Sequence, residues 1–556
     1  MSRGPGRLAA TPRRLAAIPR RLAAALALAV LFQVAGWVPA AGGTTTPPTV
    51  GTDVAVPLGP LVRGLAPGAA FLDDGALRAT TMAWTGAESL CAPFWFTAVA
   101  LVWDQSGRGL VRARLATGPA AGDLGQTTVL TAEPAEAPDP GTPEYHPGRQ
   151  GTELLWTGGS RCVRLSLRLP AGSALSNLRA AFVNTSGTSA GPGTGPPDGA
   201  PLASSGQGSL LGGLFAPSAA GALTVRPHLV PRWKWGADPA YFNTGTQGCS
   251  APYYAPSVKM AYVHHTSGTN DYAQSQSDDI VRSIYWYHTR ERGYCDIAYN
   301  FLIDRYGTVF VGRKGGVTMP VIPGSQMGFN TGTFSVALLG DFQDAPPPAA
   351  AVDSLEQLLA WRLDVAHLPP QGTAMMVSAG GSTTMYSAGT RVKLRLISGH
   401  RDTGITDCPG DFLYVQLPQI RAVVSASGLP KFYRPKESEP QVTLGLDTVT
   451  FTAWTGEPVT WRVDIVAADG SVLASMSQAG TDLALTWDGT DASGLPVAPG
   501  AYTALIQAQD ADGGVALPAS LPIAVNPLPT PSPSPTPSTS PTPTATSSPT
   551  PSSTPS

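Results

Sequence analysis

Charge is scarce in this chain. Asp, Glu, Lys and Arg make up only 13% of 556 residues, the formal net charge is -2, and only six of the 36 cationic residues are lysine. No basic patch dominates, which argues against a nucleic-acid partner. Long apolar runs are missing too. Past residue 40 none reaches the length a membrane-spanning helix needs. Histidine and cysteine are rare, at seven and five, so the places where they cluster stand out.

The first forty residues have the pattern of an export signal. Arg13-Arg14 and Arg20-Arg21 precede an apolar core from Leu22 to Val30, and Val38-Pro39-Ala40 makes a small-residue cleavage site. No stable membrane span is expected after cleavage. In an oxidising compartment most cysteines should pair. Cys91 and Cys162 share one β-rich region, and Cys249 and Cys295 share the next. That pairing leaves Cys408 over, although other pairings satisfy the count equally well.

A length of 556 suggests roughly three to four domains. Residues 44–200 hold short β-type stretches between Gly, Pro and Asp. Phe96 to Trp103 is almost wholly apolar, whereas Val163 to Leu169 alternates. An all-β domain with no catalytic constellation is expected, with His146 on a loop. Residues 201–225 have linker composition. From 226 to 426 strands and helices alternate, giving an α/β domain with a mixed central sheet and flanking helices. Expected strands are 257–263, 298–304, 308–312, 334–339 and 394–397. Ser277-Asp278-Asp279 opens one helix, presenting Ile280, Ile284 and Tyr287. Asp353 starts a second, with Glu356 set for a capping box. A last helix, 412–424, is interrupted near Pro418. Residues 432–526 return to β alternation, as in Val459 to Val466. The Pro/Ser/Thr-rich stretch 527–556 reads as a disordered tail.

Two histidines and one cysteine carry the chemistry. Met260 to Val263 is a β-type run ending in His264-His265-Thr266. Far downstream lies Ser398-Gly399-His400-Arg401-Asp402-Thr403-Gly404-Ile405-Thr406-Asp407-Cys408-Pro409-Gly410. Zinc takes imidazole nitrogen and thiolate sulfur, and a catalytic zinc keeps three protein ligands and one open position. His264, His400 and Cys408 make such a set, and the chain reads as a secreted zinc hydrolase.

Several ordered motifs strengthen that reading. They are Arg232-Trp233-Lys234-Trp235-Gly236, Tyr262 to Thr266, Tyr287-His288, Gly293 to Phe301, Gly307 to Arg313, Gly328-Phe329-Asn330, and Gly399-His400 to Cys408-Pro409-Gly410. In this register the central domain resembles the peptidoglycan recognition protein and type-2 N-acetylmuramoyl-L-alanine amidase superfamily. The resemblance implies Zn2+ on His264, His400 and Cys408, with Tyr299 at the catalytic tyrosine. Thr406 falls where relatives carry a lysine or threonine that assists catalysis. His265, Thr266, Gln326 and Asn330 are the implied substrate contacts. Many relatives have a histidine near Gln326. Members that only sense peptidoglycan commonly lack the cysteine, so Cys408 favours an enzyme cutting the lactyl-L-alanine amide of peptidoglycan or muropeptides. The alternative is a non-catalytic peptidoglycan-binding protein. Either would be secreted or associated with a bacterial cell wall. Trp487-Asp488-Gly489-Thr490-Asp491 and Val497 to Tyr502 resemble the FlgD-type immunoglobulin-like domain, which implies a C-terminal β-sandwich.

Overall fold

The computed structural model describes residues 49–527, except 58–60, 62–69, 72–75, 108, 133–135, 187–223, 243–248 and 429. The expected export signal, all but the end of the linker, and the tail beyond Pro527 lie outside the described residues.

The N-terminal region forms one ten-stranded sheet. Its main strands are β1 (Glu88–Ser106), β2 (Arg112–Gly118), β3 (Thr127–Thr131), β4 (Arg149–Gly151), β5 (Leu155–Leu169) and β6 (Ala174–Asn184). The apolar run in β1 is buried throughout, from Phe96 to Trp103. The two-residue period of a strand sends its side chains to opposite faces. Phe96, Val99, Leu101 and Trp103 enter the sheet's own core, with Val163, Leu165 and Phe182. Ala98, Ala100 and Val102, with Ala181 and Val183 of β6, enter a different apolar cluster that includes Ile280, Val281, Ile284 and Tyr285 of the central domain. Cys91 pairs with Cys162 across β1 and β5.

The central domain is built on a six-stranded mixed sheet. In chain order its strands are β7 (Leu229–Val230), β8 (Met260–His265), β9 (Phe301–Ile303), β10 (Val309–Val311), β11 (Thr333–Leu338) and β12 (Ile397–Gly399). Their spatial order is β7-β10-β9-β11-β8-β12. Only β9 and β10 are antiparallel. Helix α1 (Ser277–Trp286) lies between this sheet and the N-terminal one, so its residues are buried nearly all round. Helices α2 (Ala349–Val365), α3 (Asp411–Tyr414) and α4 (Leu417–Ala426) cover the other face through Leu355, Leu359, Leu413 and Ile420. Cys249 pairs with Cys295.

Some boundaries differ from the sequence expectation. Helix α2 starts at Ala349, behind Pro348, not at Asp353; three alanines, the best helix formers, supply the extra turn. The stretch 394–397 is not one strand. Leu394 belongs to a hairpin pairing Arg391–Arg395 with Thr373–Val377, and Ile397 begins β12. The final helix breaks before Pro418, which sits in the first turn of α4, where its missing N–H costs nothing.

The C-terminal region has six strands in one hydrogen-bonded sheet. Its longest, Val449–Val466 and Val472–Trp487, pair with an irregularity between Trp454 and Val459. They close around Phe432, Phe451, Trp461 and Ile523.

Candidate metal centre

Strand β8 runs between β11 and β12 and delivers His264 and His265 at its C-terminal end. The alternation of the strand separates them: Val263 packs under α2 and α4, while Tyr262 and His264 share the other face, their rings 6.3 Å apart. Strand β12 ends beside β8, and His400 follows it directly. The chain then loops back to Cys408. Arg401 N donates to Cys408 O at 2.9 Å, and the Arg401 guanidinium also bonds Asp407 O and Asp411.

These elements bring His264, His400 and Cys408 together, with one ligand atom from each lying within 4.8 Å of the others. The imidazole rings of the two histidines are 4.7 Å apart. His264 Nδ1 is 3.7 Å from Cys408 Sγ, and its buried Nε2 meets no hydrogen-bond partner. Burial first, then the neighbouring His400, holds the His264 pKa well below the usual histidine value. Neutral imidazole is the form that binds metal. Cys408 belongs to neither disulfide, and His265 N donates to its sulfur at 3.4 Å, a contact that favours thiolate. A buried imidazole nitrogen with nothing to bond, beside a second imidazole and a thiol, suits zinc.

Tyr299 stands at the edge of the trio, its ring 5.4 Å from that of His264. Burial, then the charges of Glu136 and Glu153, pushes its pKa well up, so the phenol keeps its proton and acts as a donor. Thr406 accepts the Cys408 amide at 3.0 Å, which shapes the ligand loop. Gln326 is fully buried; its Nε2 donates to His400 O at 3.1 Å and Thr403 Oγ1 at 2.6 Å, bracing that loop from behind. Asn330 Oδ1 accepts Ser325 N and Gln326 N. Thr266 Oγ1 accepts Gly340 N. His265 accepts Phe342 N at Nδ1 and so donates from Nε2 to Ser267 Oγ, 2.7 Å away. Burial, then Arg401 and His400, takes its pKa down to about 3. Its 3.5 Å approach to Asp341 is therefore not an ion pair. The four implied substrate contacts all have polar groups bonded inside the protein.

The N-acetylmuramoyl-L-alanine amidase family (Amidase_2) matches residues 254–411. Peptidoglycan recognition protein 1 of Bos taurus is 30% identical over 191 residues, which are 34% of this chain and 83% of that protein. Its Mus musculus counterpart is 29% identical over 198 residues, 35% of this chain and 88% of that one. The chain belongs to the peptidoglycan recognition protein and type-2 amidase superfamily. Among solved structures, human PGRP-IBETAC in complex with glycosamyl muramyl pentapeptide aligns with 34% of this chain and 94% of its own, at 24% identity and a TM-score of 0.26.

Around the amidase-family site, the structure adds groups that the sequence did not reveal. The N-terminal domain, expected to carry nothing of the site, places Glu136 beside it. Glu136 Oε1 is 3.0 Å from His288 Nε2, out of line for a good hydrogen bond. His288 Nδ1 accepts Ala298 N, so the ring proton sits on Nε2 and faces the carboxylate. Glu136 is buried, which opposes ionisation, yet His288, a hydrogen bond with Glu153 and the Arg292 charge together hold its pKa well below the carboxylate range. The only hint was composition: Glu136-Ala137-Pro138-Asp139-Pro140-Gly141-Thr142-Pro143-Glu144 puts three carboxylates among three prolines, marking a loop without showing where it lands.

A cavity of about 920 Å3 lies elsewhere. It sits between the amidase-family domain and the C-terminal sheet, lined by Thr373, Tyr433, Trp454 and Glu457. Tyr433 and Trp454 in its lining are neighbours across two strands. A smaller cavity of about 280 Å3 reaches His265, Ser267, Asp341 and Asp407 from the direction of Arg112 and Thr131.

Proposed function

We propose that this protein is a zinc-dependent N-acetylmuramoyl-L-alanine amidase that hydrolyses the lactyl-L-alanine amide of bacterial peptidoglycan. The observation that carries this reading is the buried convergence of His264, His400 and Cys408 beside a protonated Tyr299. The relatives' name, peptidoglycan recognition protein, supports the wall polymer or its muropeptides as ligand. Two disulfides fit a secreted or wall-associated protein. No helix among the described residues is long and apolar enough to cross a membrane, which says nothing of a β-barrel. We also assign the C-terminal sheet as the immunoglobulin-like accessory module that its Trp487-Asp488-Gly489 motif suggests.

His264, His400 and Cys408 would hold the zinc, whose chemistry when bound is Lewis acidity toward a carbonyl and activation of water. The rest falls to the chain's own side chains. Tyr299 presents a phenol O–H to the oxyanion that develops in amide hydrolysis, a bond that strengthens in the transition state. The His265 amide helps keep Cys408 as thiolate. Gln326 and Thr406 fix the two ends of the ligand loop, as outer partners of metal ligands do.

The test is mass spectrometry of muropeptides after incubation with zinc-loaded and chelated protein, beside Cys408→Ala. Zinc-dependent release of stem peptides starting with L-alanine is expected, with Cys408→Ala losing both metal and activity, the latter by at least about a hundredfold. Recognition without cleavage is the second reading, favoured by the solvent-inaccessible site and by Gln326. Cosedimentation with sacculi, with no peptide released by any zinc-loaded form, would establish it.

A further inference from the structure

The groups assigned to chemistry are closed off from solvent. His264 is 0% exposed, Tyr299 and His400 1%, and Cys408 3%. An enzyme acting on a polymer has to admit its substrate to these atoms. A segment of the other domain, residues 136–148, comes up beside the site at His288 and Ala298; it leaves the N-terminal sheet between β3 and β4 and has no regular secondary structure.

The segment is fastened along the cleft by polar bonds. Glu136 O accepts Tyr294 Oη at 2.5 Å and Arg292 Nη2 at 3.0 Å. Ala137 O accepts Asn330 Nδ2 at 3.0 Å. Asp139 Oδ1 accepts Gly328 N and Asn330 Nδ2, both at 2.8 Å. Glu144 takes Arg313 in a two-pronged pair, at 2.9 and 2.6 Å, and also accepts Cys295 N. His146 Nε2 meets Gly293 O at 3.1 Å. Its apolar share is small: Ala137 and Tyr145 join Tyr294, Ala298 and Met327.

The two domains are fixed to each other elsewhere. Ala98, Ala100, Val102, Ala181 and Val183 share an apolar core with α1, and Arg282 bonds Thr185 O while Ser283 meets Thr185 Oγ1. That contact cannot open without exposing apolar surface. The bonds of 136–148 can be exchanged for equivalent bonds to water or to an arriving ligand. The segment can therefore lift while the sheet stays docked.

We propose that residues 136–148 are an inhibitory strap, which lies against the amidase-family domain beside His288 and the Gly328–Asn330 turn and keeps the site latent until it lifts. The inference rests on the metal-centre reading above only for what is shut off; the closure itself is read independently of catalysis.

The test uses the full chain without metal and takes Cys408, the cysteine outside both disulfides, as its probe. The rate of labelling by 5,5′-dithiobis(2-nitrobenzoate) is compared among the native protein, Asp139→Ala and Asp139→Ala/Glu144→Ala, with thermal unfolding as the check on fold. Loss of a charged anchor should speed labelling by about tenfold or more, and the zinc-loaded variants should release stem peptide faster than the native protein. Unchanged labelling in cooperatively folded variants overturns the strap. So does faster labelling with slower peptide release, which would make the segment part of the working site. Should the variants not fold, native-state digestion of the unmutated chain by a Glu-specific protease decides. Cleavage after Glu136 or Glu144 under conditions that leave the rest folded supports lifting, and cleavage only with global unfolding overturns it. Faster labelling with no peptide release from any zinc-loaded form sinks the amidase reading and leaves the strap standing.

Discussion

Two β-rich regions flank the amidase-family domain, and they relate to it in opposite ways. The N-terminal sheet is buried on both faces: in β6, Ala180 and Phe182 point to its own core while Ala181 and Val183 point to the core shared with α1. The C-terminal sheet keeps the alternation of a half-exposed one, as in Val449–Val466, where buried and more exposed positions interchange. It touches the amidase-family domain at a small patch. His367 stacks on Phe432 with ring centroids 4.4 Å apart, Arg434 N donates to His367 O, Arg434 Nη2 donates to Thr373 O, and Lys431 Nζ donates to Val424 O. The first region is a structural part of the domain and reaches the edge of its candidate metal centre. The second is an appendage. A strand buried on one side needs only its own module, whereas one buried on both needs a neighbour to cover the second face.

That contrast can be broken most forcefully at the shared core. Ala181→Asp places a carboxylate with no partner against α1, and should cost about 3 kcal/mol or more, read by urea unfolding. Loss of metal binding should accompany it. An effect below about 1 kcal/mol would mean that the N-terminal sheet is a separable module like the C-terminal one. Removing residues 430–527 should do much less. The remaining chain should bind zinc with unchanged stoichiometry and unfold within about 1–2 kcal/mol of the full-length protein's amidase-family domain, since interdomain contacts of this kind are modest; metal analysis and denaturation of the shortened chain check it.

The smallest expected effect is a pH dependence at the C-terminal contact. Burial, opposed by the Phe432 and Pro518 carbonyls and by Asp364, lowers the His367 pKa. An unfolded histidine titrates near 6.5, so below that the unfolded chain binds more protons than the folded one. The stability that neutral His367 supplies is thus complete above about pH 6.5 and is lost as pH falls through the lowered folded value. His367→Gln should flatten that part of the melting-temperature profile below about pH 6.5, while leaving the value at pH 8 nearly unchanged. A profile identical to the native one would place the acid sensitivity elsewhere.

Much of the central domain was legible. The β-type run ending at His264, the acidic first turn of α1 and the break at Pro418 are local features, and local periodicity and propensity encode them. Boundaries slipped where signals competed: Glu356 suggested a capping box, but Ala349 to Ala351 had already carried the helix a turn further back. The run Phe96 to Trp103 announced burial on both sides without naming what covers the second side. Gln326 and Thr406, singled out for substrate and catalysis, also bond the loop that carries His400 and Cys408, which the sequence did not show because the Gln326 partners are distant in sequence.

The sequence alone determined the donors. Two imidazoles and a thiol in recognisable motifs fix which chemistry this protein can hold, since ligand identity is a property of single residues. Only the tertiary structure decided who has access to them. Glu136 reaches His288 from another domain, through a proline-interrupted loop that carries no periodicity, and no local pattern records where such a loop comes to rest.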